Sequence, residues 1–178
     1  QKMKNKYDIV SSFSDFKSSN ANYIGFFTAN DDPKTIAKGR RPNLGELTKA
    51  TLEKLQKQKQ SFFVMIEGAQ IDWGGHANNT DYIITEFIDF NLAVKEAINF
   101  AKKDGNTLVI VTADHETGGF AITGKSDKEM SGNFTTKRHT ATMVPVFTYG
   151  PSSKKFSTIM DNTEIFYKLK ESVLTSNK

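Results

Sequence analysis

Two stretches of this chain are apolar at almost every position and then stop abruptly at polar side chains. Phe62 to Ile66 (FFVMI) ends at Glu67, and Leu108 to Thr112 runs into Asp114 and His115. Unbroken apolar runs this short predict strands covered on both faces, as in a parallel sheet. Tyr23 to Phe27 (YIGFF) predicts another strand. Phe120 to Thr123 predicts a short one, and Val144 to Tyr149, closed by Gly150-Pro151, the last. Elsewhere the apolar period lengthens to three and four. Tyr7, Ile9, Val10, Phe13 and Phe16 predict a short helix near the N-terminus. Asn43 with Glu46 forms a capping box for a helix to about Lys59, with Leu44, Leu47, Leu52 and Leu55 inward. A long helix is predicted from about Thr80 to Lys103 and capped by Gly105. It turns Ile83, Phe87, Phe90, Val94, Ala97 and Ala101 inward and Glu86, Asp89 and Glu96 to solvent. Asp161-Asn162-Thr163 opens a final amphipathic helix through Ile165, Phe166, Leu169 and Val173. Residues 28–42 and 124–138 are polar and read as loops.

Strands alternating with helices predict an α/β protein, a three-layer α/β/α arrangement with a mostly parallel central sheet. At 178 residues the chain is long enough for a single domain, residues 1–178, with a real core. The net charge is +4, with lysines spread along the whole length, which argues against a nucleic-acid-binding stripe. The longest strictly apolar run is far too short to cross a membrane. No charged-then-apolar leader opens the chain, so an export signal is expected to be removed or upstream. The absence of cysteine excludes disulfides and thiolate metal sites. Any metal must be held by His, Asp and Glu, which suits catalytic zinc or magnesium.

The three histidines, His76, His115 and His139, each lie near a carboxylate, a glycine turn or a strand end. Asp72-x-x-x-His76 follows one buried strand, and Asp114-His115 follows another. One metal would use Asp72 and His76, with His139 the remaining histidine for a third ligand. A second would use Asp114 and His115, and Glu67 offers a hard oxygen for magnesium. His139 precedes its strand, so it reaches the others only if that strand is antiparallel or residues 124–138 carry it back over the site. Trp73 either walls the site or packs in the core. Lys137 and Arg138 read as solvated loop charges, and Thr112 and Thr117 as strand-end hydrogen-bonding residues.

Together the blocks FFVMIEGAQIDWGGHANN, AINFAKKDGNTLVIVTADHETGGF, HTATMVPVFTYGP and DNTEIF resemble the C-terminal part of alkaline phosphatases, in the family's order. The resemblance implies an alkaline phosphatase-like fold and phosphate monoester hydrolysis through a phosphoserine. It implies a first zinc on Asp72, His76 and His139, a second on Asp114 and His115, and magnesium on Glu67. It also implies a periplasmic or secreted location. A sheet edge cut by the missing strands would expose backbone donors and apolar surface, so a homodimer or an exchange of elements is expected. Trp73 stands where the family varies among Lys, His and Trp. No Asp-Ser-Ala nucleophile motif of the family's N-terminal half occurs here, so the chain is expected to be an incomplete domain, with little turnover of its own. Rival readings are a phosphomutase or phosphodiesterase of the same superfamily, and a non-catalytic metal- or phosphate-binding module.

Overall fold

The structure, a computed structural model, describes residues 6–175. Strand β1 (Asp8–Val10) pairs in parallel with β2 (Ile24–Phe26), joined by helix α1 (Phe13–Ser18). The helix is therefore shorter than its apolar spacing predicts. Residues 1–5 lie outside the described residues, and Ile9 and Val10 are β-branched and pair with β2 instead. Helix α1 begins only where Ser12 Oγ accepts from the Asp15 N–H at 3.0 Å. Phe13 and Phe16 then stack on Phe26, with centroids 6.4 and 5.4 Å away.

Helix α2 (Leu44–Lys57) opens with the expected capping box. Asn43 Oδ1 accepts from the Glu46 N–H, and Glu46 Oε2 accepts from the Asn43 N–H, both at 2.8 Å. It packs along α4 (Thr80–Asp104), which ends on Gly105 in the left-handed conformation. Gly45 brings the two backbones close, because a Cβ there would lie 2.8 Å from Leu92 Cβ.

The rotation of α4 differs from its apolar pattern. Glu86 and Asp89 are buried at 3% exposure, whereas Phe87 is 58% exposed. The reason is Arg40, in the loop before α2. Its Nη2 donates to Glu86 Oε2 and, at 2.9 Å, to Asp89 Oδ2. Glu86 also accepts from the Ile36 N–H at 2.9 Å and Asp89 from the Leu44 N–H at 3.2 Å. Two acids on the expected solvent face thus become internal clasps for residues 36–44. Gln70 adds another: its Nε2 donates to Pro33 O at 2.8 Å while its Oε1 accepts from Tyr82 Oη at 2.9 Å.

Residues 62–66 form no ladder, and 61–67 make no backbone–backbone hydrogen bond among the described residues. Phe62, Val64 and Ile66 are half-buried, with Phe62 against Phe100, while Phe63 and Met65 are 71% and 80% exposed. Coverage on both faces is therefore corrected to coverage on one. The Gly-rich segment that follows forms helix α3 (Gln70–His76). Its glycines permit close packing: a Cβ on Gly74 would meet Ile83 of α4 at 2.9 Å.

Strand β3 (Val109–Val111) pairs antiparallel with β8 (Phe147–Tyr149). Strand β4 (Glu116–Thr117) pairs antiparallel with β7 (His139–Thr140), and β5 (Ala121–Gly124) with β6 (Met130–Asn133). The polar 124–138 stretch is thus partly a hairpin arm. Helix α5 (Asn162–Thr175) closes the chain, with Asp161 Oδ1 accepting from the Thr163 N–H at 3.0 Å. The expected mostly parallel sheet is not seen among the described residues: of the four two-stranded ladders they form, β1–β2 is parallel and the others antiparallel. Of the two runs that look doubly covered, Val109–Val111 pairs on one side only and 62–66 pairs with nothing among the described residues. No helix among the described residues is long and apolar enough to cross a membrane.

Candidate metal centre

Asp72 and His76 are one turn apart on α3 and share a face, the i, i+4 relation. His139 arrives from β7, whose pairing with β4 sets it opposite Thr117. Both devices the sequence allowed are present, since β8 is antiparallel to β3 and the 124–138 stretch folds back over α3. Asp72, His76 and His139 each offer a donor atom within 4.8 Å of the others'. His76 Nε2 is 3.4 Å from Asp72 Oδ2, His139 Nε2 is 3.5 Å from Asp72 Oδ1, and the two Nε2 atoms are 3.1 Å apart.

These separations test whether a metal fits. Four ligands at zinc's bond lengths form a tetrahedron with edges of about 3.3–3.4 Å. The separation of the two Nε2 atoms, 3.1 Å, and that of His76 Nε2 from Asp72 Oδ2, 3.4 Å, lie close to that value, and His139 Nε2 meets the other carboxylate oxygen, Oδ1. The tautomer fits too. His76 Nδ1 is 2.7 Å from Lys137 O, and a carbonyl only accepts, so Nδ1 carries the proton. In the neutral ring Nε2 is then left with a lone pair turned toward Asp72 and His139. The set is one carboxylate and two imidazoles on a partly exposed rim, the donor chemistry of a catalytic zinc position.

Asp114 and His115 follow β3 directly. The His115 ring stacks on that of His139, with centroids 3.5 Å apart and planes at 19°. His115 Nε2 is 3.2 Å from Asp114 Oδ2, whose side chain is 86% exposed. The two groups of residues are thus brought to one rim. Glu67 is not in the three-residue cluster. It is exposed at the end of the 62–66 segment and lines a groove with Arg40, Pro42, Gln70, Glu86 and Asp89. Trp73 flanks Asp72 at 37% exposure. The side chains of Lys137 and Arg138 are exposed, and their carbonyls do the local work, accepting from His76 and from the Gly118 N–H.

Two residues that are not among the candidate ligands hold this arrangement together. Thr117 Oγ1 lies 2.5 Å from Asp72 Oδ1 and 3.2 Å from His115 Nδ1. The readable signal was strand alternation, which puts His115 and Thr117 on one face. Glu116, on the other face, accepts from the Gly119 N–H at 3.1 Å, the Phe120 N–H at 2.9 Å and Thr140 Oγ1. It ties the glycine turn to the strand that carries His139. Burial raises the Glu116 carboxyl pKa, but hydrogen bonds from Thr140, Phe120 and Gly119 and the field of His115 outweigh it and hold the value below normal. A lowered folded-state pKa contributes stability that is present above the ordinary carboxylate value and is lost as pH falls through the lowered one. Glu116→Gln is therefore expected to flatten the acid limb of the stability profile, measured as urea midpoints across that range. An unchanged acid limb would contradict this role.

Carboxylates and imidazoles delivered by helix and strand ends to one rim define an α/β protein with a candidate metal centre. Comparison with known proteins makes the class particular. Residues 2–132 match the alkaline phosphatase family, and the chain belongs to it. It is 31% identical to alkaline phosphatase 3 of Bacillus subtilis, over 84% of this chain and 48% of that protein. It is 35% identical to the Escherichia coli alkaline phosphatase, over 72% of this chain and 31% of that one. The structure of alkaline phosphatase from the Antarctic bacterium TAB5 matches with a TM-score of 0.89 at 43% identity, covering 95% of this chain and 52% of that one. Histidine-substituted forms of the TAB5 enzyme hold Mg in the site called M3. The chain spans about half the length of the B. subtilis and TAB5 proteins, and the fold is alkaline phosphatase-like α/β.

Proposed function

We propose that this chain is the metal-binding part of a phosphate monoester hydrolase. Asp72, His76 and His139 hold a first zinc, Asp114 and His115 hold a second, and Glu67 is a ligand to magnesium. The observation that carries this reading is the cluster of donor atoms on Asp72, His76 and His139, one from each residue within 4.8 Å of the others', with the two imidazole Nε2 atoms 3.1 Å apart. The metals supply the positive charge that a transferring phosphoryl group needs. The chain's own residues set the stage for it. Lys137 O orients His76, the stack on His139 positions His115, and Trp73 walls the side of the site next to Asp72.

The nucleophilic serine of the family's phosphoserine mechanism belongs to polypeptide outside these 178 residues. The same polypeptide completes a mostly parallel sheet, making residues 1–178 the C-terminal part of one catalytic domain. The unpaired backbone at 61–67 and the exposed Phe63 and Met65 support that reading. A periplasmic or secreted location belongs to it by family resemblance, and a homodimer by the unpaired sheet edge of this part alone. A magnesium in this reading draws support from the Mg that a substituted form of the TAB5 relative holds in its M3 site.

Zinc retained after dialysis, measured by atomic emission, is expected to fall by about one ion per chain in His139→Ala, which removes one of three first-site ligands. The 178-residue chain should still turn over p-nitrophenyl phosphate far more slowly than a full-length relative. Equal zinc content in His139→Ala and the unsubstituted chain would refute the ligand assignment. Turnover matching a full-length relative would refute the division of labour.

A further inference from the structure

We propose that Thr117 is a positioning residue that couples the two metal positions through one hydroxyl. This rests on the zinc-site reading above and extends it to a residue that is not a ligand.

The direction of the hydrogen bonds follows from the chemistry. An ionised carboxylate only accepts, so the single proton of Thr117 Oγ1 goes to Asp72 Oδ1, 2.5 Å away. The hydroxyl oxygen is then left with lone pairs, and His115 Nδ1, at 3.2 Å, must be the donor. The chain of bonds runs from His115 Nδ1–H to Thr117 Oγ1–H to Asp72 Oδ1. At one end it puts the His115 lone pair on Nε2, the atom 3.2 Å from Asp114 Oδ2. At the other it occupies Oδ1 of Asp72 and leaves Oδ2, beside His76 Nε2, for a metal.

The rotamer is held as well. A Cβ on Gly75 would lie 2.8 Å from Thr117 Cγ2, so the methyl sits against bare α3 backbone while the hydroxyl faces Asp72. β-branching makes this χ1 stiff, and the β4–β7 register places Thr117 opposite His139. Ordering Asp72 in the first site therefore orders His115 in the second. The ion that binds first meets the ordering cost, and the next binds more tightly, by the same factor in either order.

Two measurements on the chain, T117V and T117S test this. Competitive zinc titration against a chromophoric chelator is expected to show coupled binding in the unsubstituted chain. In T117V both steps should weaken by about 10-fold or more and become independent, while T117S stays within about threefold. In the metal-free proteins, histidine ¹⁵N chemical shifts should report the Nδ1–H tautomer for His115. T117V should give a tautomer mixture at His115 and leave His76, held by Lys137 O, unchanged. Wild-type zinc affinities in T117V would overturn the coupling, and so would T117S failing as badly as T117V or an unaltered His115 tautomer in T117V. No zinc uptake by the unsubstituted chain would overturn the zinc reading and the coupling together. Normal uptake with an indifferent T117V would overturn the coupling alone.

Discussion

Replacing Arg40 with Leu is expected to lower the unfolding free energy by about 3–5 kcal/mol, the usual cost of breaking a buried ion pair from one side. Glu86 and Asp89 are both 3% exposed, and Arg40 is the cation between them. Burial works against the guanidinium charge, but the hydrogen bonds and fields of the two carboxylates outweigh it and hold its pKa above normal. Without it, two acids remain buried and like-charged on consecutive turns of α4. Their remaining partners are the Ile36 and Leu44 N–H groups, the latter an otherwise unsatisfied donor at the start of α2. Urea unfolding would check this, and a loss under about 1 kcal/mol would mean that water already shields the pair. A triple change, R40L with E86Q and D89N, should recover part of the loss, since removing all three charges leaves none uncompensated.

Gly75→Ala is expected to be the most damaging small change to the site itself. The new Cβ would sit 2.8 Å from Thr117 Cγ2, 2.9 Å from its Cβ and 2.9 Å from its carbonyl oxygen. Two of these atoms belong to the strand framework or lie next to it, so α3 must move off β4. Overpacking of this kind costs about 1–3 kcal/mol. The functional consequence is larger, because Asp72 and His76 ride on α3 while Thr117 and His139 belong to β4 and β7. Misplaced ligands should reduce first-site zinc affinity by about 100-fold, the upper range for disturbed support around a metal. Gly105→Ala is the matched control. Its Cβ meets nothing within 4 Å, but its φ of +76° penalises any side chain, so it should cost stability without touching zinc uptake. Equal zinc affinities in Gly75→Ala and Gly105→Ala would show that the α3–β4 contact does not set the site.

Local signals in the chain were strong where the chemistry is local. The Asn43–Glu46 box, the Gly105 cap and the Asp161 cap each satisfy backbone groups within a few residues, so the letters suffice. The candidate ligands could be named for a similar reason: with no cysteine in the chain, carboxylates and imidazoles are the donor types left to hold a metal, and their position beside apolar runs is written in the letters. Phase and pairing were not readable. Glu86 and Asp89 look like solvent-facing residues because their partner, Arg40, lies more than forty positions away. The glycines of segment 70–76 do not announce a helix because what Gly75 accommodates, Thr117, lies more than forty positions away.

The sequence by itself determined that the chain is α/β, where most of its helices lie, and which side chains are available to hold a metal. It did so because hydrophobic period, capping and donor chemistry are carried by neighbours along the chain. Only the tertiary structure decided that His139 crosses back to Asp72 and His76, that His115 stacks on it, and that Thr117 joins the two groups. Those are contacts between residues up to 63 positions apart, and they depend on strand direction, register and the close approach of α3 to β4. No local pattern encodes a distance of that kind.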